Sequence, residues 1–223
     1  MEYTVNNLTA YMNRCLMHYD AGANNIANTN THGFKKQLVL ERGLHQETRA
    51  DLSQGAMMET GNNTDMAIDG EGYFVVMTPQ GGRYTRDGSF TVDPRGRLVN
   101  GAGLPVMDNN GNEIFPGGDP AVSENGTIFS AGIPVARLAL VRPQNRQEVT
   151  PQGGSLFNFQ PDFAPPESYK ILGGYLENSN VDTLREMTDS INFIRNFELA
   201  QRVLKMEQNL AERCATEIAN TGN

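Results

Sequence analysis

Asp65, Asp69 and Glu71 set three carboxylates within one short stretch, and closely placed acids are what general acid and base chemistry requires. Their surroundings, MAIDGEG, are rich in turn residues, where carboxylates cap backbone N–H groups or stay solvated, so the sequence assigns them that role rather than catalysis. The run Asp108-Asn-Asn-Gly-Asn112 offers the alternating oxygens of a calcium loop. A helix-flanked calcium loop needs Gly at its sixth position and Glu at its twelfth, where this chain has Glu113 and Asp119, and a hairpin turn fits better. His18, His32 and His45 form no HExxH pattern and have no Cys or acid at metal-ligand spacing, which favours surface or packing roles. Gly70-Glu-Gly72 opens no dinucleotide fingerprint, because Val75 stands where the third glycine belongs. No Walker loop or nucleophile elbow is present. Asn62-Asn-Thr64 and Asn125-Gly-Thr127 match the glycosylation sequon, a pattern common by chance. The sequence thus predicts no catalytic, cofactor-binding or metal-binding residue, and no enzyme.

The elements are more informative than the side-chain chemistry. From Leu176 to Ile218 neither Gly nor Pro interrupts the chain, Asn180 can cap a start with Asp182 in the first turn, and Gly222 follows the end. This predicts one helix of roughly 60 Å at about 1.5 Å per residue, far beyond the average helix of about 11 to 12 residues. Leu184, Met187, Ile191 and Ile194 make one apolar stripe, Phe193, Phe197, Ala200 and Leu204 a second, and Val203, Met206, Leu210 and Cys214 a third. One partner helix cannot cover a surface that winds in this way, so several neighbours are expected. The plainer alternative is a core helix of an ordinary helical bundle. Arg185 with Asp189 and Glu198 with Arg202, each four apart, can pair on the faces left polar.

At the other end, Val5, Leu8, Met12, Cys15, Tyr19, Gly22 and Ile26 follow a 3-4-3-4 spacing, the seam of a helix packing lengthwise on another. It predicts a second long helix over residues 3 to 28, ended by the polar run Asn28-Thr-Asn-Thr-His32 and Gly33-Phe34. Two helices at the two ends of a chain can meet only if the chain returns to its start, so they should run antiparallel. Cys15 would then lie level with about Phe193. Cys214 would lie on the order of 30 Å further along the axis, beyond the roughly 7 Å Cα separation a disulfide allows. Both thiols should be free.

Between the helices, residues 35 to 64 lack a lasting period and read as an extended linker with a strand near Gln37 to Glu41. From Asp65 the pattern changes to short β-rich runs at Tyr73 to Met77, Ser89 to Val92, Leu98 to Val99 and Pro105 to Met107. They are split by Asp69-Gly70, Gly81-Gly82, Asp87-Gly88, Asn100-Gly101 and Asn110-Gly111, dipeptides suited to turns with positive φ. Val135 to Val141 and Tyr169 to Leu172 read as further strands, and Pro143 to Pro166, with its five prolines, as an irregular loop. The predicted fold class is α+β: long N- and C-terminal helices forming an antiparallel coiled-coil module (residues 1–34 and 176–223), a linker (35–64) and an inserted mainly-β domain (65–175).

The 223 residues carry a net charge of −8, with 26 acids against 18 lysines and arginines, and no basic cluster. That argues against nucleic acid or an anionic membrane surface as a partner. No run of 18 apolar residues appears, which argues against lipid insertion, and the polar N-terminus lacks the pattern of a cleaved signal peptide.

Three stretches together resemble the bacterial flagellar rod and hook family of axial proteins. Ala23 to Lys35 (ANNIANTNTHGFK) is similar to the family's ANNxANxxTxGFK signature, on Asn24, Asn25, Ala27, Asn28, Gly33 and Phe34. Thr60 to Val76 and Tyr84 to Val99 are similar to its central β domain. Leu176 to Val181 (LENSNV) resembles its C-terminal LExSNV entry, on Ser179, Asn180 and Val181. His32 where the family often has Pro, and Lys205-Met-Glu207, depart from the pattern; the short stretch between Phe34 and Thr60 and the C-terminal helix look closer to a proximal than to the distal rod member. The resemblance implies a structural subunit of the basal-body rod, polymerising through its terminal helices into a hollow drive shaft that carries torque and passes exported subunits. It implies homo-oligomers, other axial proteins and the flagellar type III export apparatus as partners, export without signal cleavage, and no cofactor. The expected assembly interface is the helical apolar set Val5, Leu8, Met12, Cys15, Tyr19, Ile26, Leu184, Met187, Ile191, Ile194, Phe197, Leu204 and Leu210. A reading from another class is a surface adhesin or binding β domain on a coiled-coil stalk. It needs exposed aromatics, whereas Tyr73, Phe74, Tyr84 and Phe90 occupy strand positions suited to a core.

Overall fold

A computed structural model describes residues 2–42, 45–118, 120–164 and 168–221, excepting the side chains of residues 2–4, 41, 42, 45, 46, 214, 215 and 217–221. The expectations for Cys214 and for the side chain of His45 therefore lie outside the described residues, as do Pro165 and Pro166. The chain forms two compact units. One comprises residues 1–26, 37–48 and 182–223; the other comprises 27–36 and 49–181.

The first unit holds two helices, α1 (Glu2–Ala27) and α2 (Thr183–Thr221), of 26 and 39 residues. The second helix starts later than the sequence predicts. Leu176 and Glu177 belong to a strand, and the cap is Asp182, whose Oδ1 accepts from Arg185 N at 3.2 Å, rather than Asn180. Asn180 is occupied elsewhere, as described below. Within this unit the rows that meet are specific. His18 stacks on Phe193 with ring centroids 4.6 Å apart, a Cβ on Gly22 would lie 2.8 Å from Ser190 Oγ, and Asn25 Nδ2 donates to Glu186 Oε2 at 3.0 Å. As numbers rise along α1 they fall along α2.

Glu186, Ser190 and Ala200 are buried and Phe193, Phe197 and Leu204 half-buried, so the second of the three predicted stripes is the one facing inward. The first stripe and the described members of the third, Val203, Met206 and Leu210, stay in solvent: Leu184 is 79% exposed, Ile191 51% and Leu210 60%. Arg185, Asp189, Glu198 and Arg202 are exposed as well. The strands β1 (Gln37–Arg42) and β2 (His45–Ala50) pair as a two-stranded sheet.

The second unit is built from β3 (Met57–Glu59), β4 (Met66–Gly70), β5 (Tyr73–Thr78), β6 (Gly81–Thr85) and a series of shorter strands. Its largest sheet orders Thr150–Pro151, Leu156–Asn158, β6, β5, Leu140–Pro143 and Pro161–Asp162. Pro120–Val122, Thr127–Ser130 and Ile133–Arg137 form a separate three-stranded sheet, and β4 pairs with Tyr169–Gly173. Two apolar clusters fill the unit. Met66, Ile68, Phe74, Val76, Phe90, Leu98, Val106, Ile114 and Ile128 form the first, all 1% exposed or less. The second joins Tyr73, Tyr84, Val141, Val149, Phe157 and Phe159, with Tyr84 and Phe159 stacked at 4.1 Å. Tyr73, Phe74, Tyr84 and Phe90 are thus core residues, as expected, while Phe115 and Phe163 are exposed.

Two sequence expectations fail here. Val135 to Val141 is not one strand: Ile133–Arg137 pairs with Thr127–Ser130, while Leu140–Pro143 pairs with β5, the sheets changing at Leu138 and Ala139. Nor is Pro143 to Pro166 irregular throughout. It contains a 3-10 turn at Arg146–Glu148 and three short strands, and it contributes Val149, Phe157 and Phe159 to the second core. Prolines at 143, 151 and 161 sit at strand ends, where the missing N–H is least costly.

Of the predicted turn glycines, Gly70, Gly81 and Gly111 have positive φ, whereas Gly88 and Gly101 do not. Gly88 is needed for closeness instead. Its carbonyl accepts from Met66 N at 3.0 Å, and an added Cβ would stand 1.6 Å from Met66 O. Gly88→Ala should therefore force these backbones apart and destabilise the unit by about 1–3 kcal/mol, read as a lowered thermal midpoint of the tyrosine fluorescence.

Candidate functional site

The acids and asparagines that suggested chemistry are spent on the fold. Asp65 is buried and accepts from Thr60 Oγ1 at 2.7 Å and Asn62 Nδ2 at 3.2 Å. Asp69 accepts from Gln54 Nε2 at 3.4 Å, and Glu71 pairs with Arg146. Asp108 Oδ1 accepts from Asn110 N at 2.9 Å and Asn112 N at 2.7 Å, closing a turn. Asn62 accepts from Thr64 Oγ1, and Asn125 Oδ1 accepts from Thr127 N, so both sequon asparagines serve local turns. Cys15 is a free, buried thiol. Among the described residues no group of three His, Cys, Asp or Glu side chains is arranged to hold a metal.

Organisation centres instead on the signature residues. In the helical unit, Asn25 is 1% exposed and its amide satisfies both backbone groups of Gln37: Oδ1 accepts from Gln37 N at 2.7 Å and Nδ2 donates to Gln37 O at 2.9 Å. The same Nδ2 reaches Glu186. One side chain of α1 thus holds the first residue of β1 and the first turn of α2. Ala27 and Asn24 are exposed, and Ile26 half-buried.

In the β-rich unit, Asn28 opens a turn by accepting from Thr31, and Gly33 follows with φ of 68°. Its N–H donates to Glu177 O at 2.8 Å, and a Cβ there would lie 2.2 Å from Asp87 N, so only glycine fits this position. Phe34 is 3% exposed and Lys35 2%. Lys35 Nζ donates to Glu177 Oε1 at 2.6 Å and to Ser53 O at 2.7 Å. The same carboxylate accepts from Gly55 N at 2.9 Å, and its Oε2 meets Arg86 Nη1 at 3.4 Å. Burial holds the Lys35 ammonium below its usual range, and the Glu177 carboxylate opposes that shift.

Asn180 stitches the third strand of chain to the other two. Its Oδ1 accepts from Lys36 N at 2.7 Å, and Nδ2 donates to Asp51 O at 3.0 Å, Ser53 O at 3.1 Å and Ser53 Oγ at 2.9 Å. Ser179 Oγ accepts from Val181 N at 3.3 Å. Asn180→Ala removes all of these at once and should cost about 1–3 kcal/mol in urea unfolding. Asn180→Asp keeps the acceptor for Lys36 and should fall between, which would separate the donor bonds from the acceptor bond.

Sequence reasoning placed Asn25 and Asn180 in a signature but gave neither its partner, and it passed over Glu177, Arg86, Ser53 and Gly55. The one available signal was Glu177's place inside LENSNV. Of the thirteen expected interface residues, Cys15 is buried within its own unit, Val5, Leu8, Met12, Ile26, Phe197 and Leu204 are half-buried, and Tyr19, Leu184, Met187, Ile191, Ile194 and Leu210 are exposed.

Residues 67–150 match the flagellar hook protein FlgE/F/G D1 domain and residues 172–218 the flagellar basal body rod FlgEFG protein C-terminal region. The chain is 35% identical to the flagellar basal-body rod protein FlgF of Caulobacter vibrioides, over 91% of each chain. It is 32% identical to FlgF of Salmonella typhimurium over 82% of this chain and 84% of the relative. The rod protein FlgG of Buchnera aphidicola is more distant, 27% identical over 86% of this chain and 90% of the relative. The chain belongs to the flagellar FlgE/F/G family of structural axial proteins, not to any enzyme class, and stands nearer to the FlgF rod proteins than to FlgG.

Proposed function

We propose that the chain is a structural subunit of the flagellar basal-body rod that polymerises through its terminal helices. The observation that carries this reading is the surface of α2. Leu184, Met187, Ile191, Ile194, Leu199, Val203, Met206 and Leu210 are all at least 41% exposed, on more than one face of one helix. Covering such a surface is worth roughly 25 cal/mol per Å² of apolar area, and neighbouring copies or related axial proteins supply the cover. The inward contacts of Gly22, His18 and Asn25 support an antiparallel coiled-coil module as the assembling part, with the β-rich unit attached to it. Export by the flagellar type III apparatus, a location in the periplasm-spanning rod, torque transmission and passage of exported subunits through a hollow core belong to the same reading.

Limited proteolysis of the dilute monomer tests it. Residues of α1 and α2 should be cut early while 65–172 resists, because a helix with unburied apolar faces is only marginally stable alone. Equal protection of both regions would argue for a self-sufficient bundle and against assembly through the helices.

A further inference from the structure

A cleft of about 270 Å³ in the β-rich unit is walled by Tyr73, Arg86, Arg142, Pro143 and Arg146, with Glu71 among them. Two of its three guanidinium groups are matched: Arg142 Nε donates to Asp162 at 2.9 Å, and Arg146 pairs with Glu71. The Arg146–Glu71 pair is 67% and 52% exposed, so it is weakly held and readily exchanged.

Arg86 differs. It is 5% exposed, its Nη1 donates to Ile68 O at 2.9 Å and its Nη2 to Gly70 O at 2.6 Å, and its guanidinium lies 5.4 Å from the centre of the Tyr73 ring. Its Nε is buried and has no partner at hydrogen-bond geometry, although the guanidinium also interacts with the Tyr73 hydroxyl. A buried N–H left without an acceptor is unfavourable, and the Nε edge of a guanidinium is one of the edges that grips a carboxylate.

The volume of the cleft lies just below the roughly 300–1,000 Å³ of small-molecule pockets, which suits one acidic group and not a large cofactor.

We propose that this cleft is a carboxylate-binding site. One acidic group sits between Arg86 Nε and Arg146, and Arg146 leaves Glu71 to meet it. The group is the carboxylate of a free small acid or of an acidic side chain on another polypeptide.

The test follows the Arg86 Nε–H resonance of the full chain, arginine-labelled with nitrogen-15, during titration with acetate, with an N-acetyl-glutamyl peptide amide, with its glutaminyl analogue and with inorganic phosphate. A saturable shift with acetate and with the glutamyl peptide, but not with the glutaminyl one, supports the site. Arg146→Gln, an exposed position that leaves folding intact, should then weaken binding roughly fivefold. Tighter binding of the peptide than of acetate assigns the site to a protein segment, and equal binding assigns it to a small acid. Absence of a saturable shift, an equal response to the neutral peptide, tighter binding of phosphate than of acetate, or unchanged binding in Arg146→Gln would overturn the proposal.

Discussion

Glu177→Gln should destabilise the β-rich unit by about 3–5 kcal/mol, whereas Lys35→Met should cost only about 1–2 kcal/mol. The asymmetry follows from who depends on whom. The Glu177 side chain is 0% exposed and is the counter-charge for both Lys35 at 2.6 Å and Arg86 at 3.4 Å, besides accepting from Gly55 N at 2.9 Å. Glutamine keeps one acceptor and the volume but leaves two buried cations facing each other. Methionine at 35 removes a cation that burial already penalises, keeps most of the packing, and leaves Glu177 with Arg86 and Gly55. Its losses are the bonds to Ser53 O and to Glu177 Oε1, the second offset by removal of the buried charge. Urea unfolding followed by tyrosine fluorescence measures both, since the chain has seven tyrosines and no tryptophan. If Lys35→Met cost as much as Glu177→Gln, the shared carboxylate would not be the keystone.

The same pair has a pH signature. Burial lowers the folded-state pKa of Lys35 below 10.5, so between the folded value and 10.5 the unfolded chain binds more protons and stability rises with pH. Below the folded value the cost of the buried charge is fully present. Tyr73 and Tyr84 act in the opposite sense: burial raises both above 10.0, so their contribution falls as pH passes that value. The difference in stability between the unmodified chain and Lys35→Met isolates the lysine. It should widen as pH climbs toward 10.5, because only the unmodified chain gains stability there, and a difference independent of pH would show that Lys35 titrates normally.

How far the sequence reaches is clear from particular residues. The 3-4 spacing of Val5 to Ile26 and the unbroken run to Ile218 locate both helices, because periodicity over many turns is a local signal. The start of α2 is misread for an equally physical reason. Leu176 and Glu177 are good helix formers, and what holds them extended is their pairing with Met58 and Met57, more than a hundred residues away. The strands hidden between Pro143 and Pro166 are missed because each is only two or three residues long, too short for a period, and the middle one is held by the distant β6 while Thr150–Pro151 pairs in turn with it. The burial of Lys35, Arg86 and Glu177 is invisible in the sequence, since nothing local to a charged residue announces an opposite charge in another segment. Only the resemblance of Ala23 to Lys35 and Leu176 to Val181 to a known family hinted that these stretches act together.

Ile191→Asp should leave the monomer nearly unchanged, within about 0.5 kcal/mol, yet abolish its incorporation into the basal body. Ile191 is 51% exposed and lies on the stripe that does not face α1, so an aspartate there stays solvated in the free chain. If the chain assembles through its terminal helices as proposed, the same stripe is covered, and an unpaired carboxylate against apolar neighbours costs several kcal/mol. Each 1.4 kcal/mol is a tenfold loss of association, and the penalty recurs at every copy along the polymer. Leu8→Asp should also abolish incorporation, but Leu8 is half-buried in the chain itself, so part of its effect would appear as helix destabilisation. Circular dichroism of the monomer, basal-body sedimentation and swimming on soft agar separate these contributions. Normal incorporation and motility of a folded Ile191→Asp chain would mean that the exposed stripe of α2 is not the assembling surface.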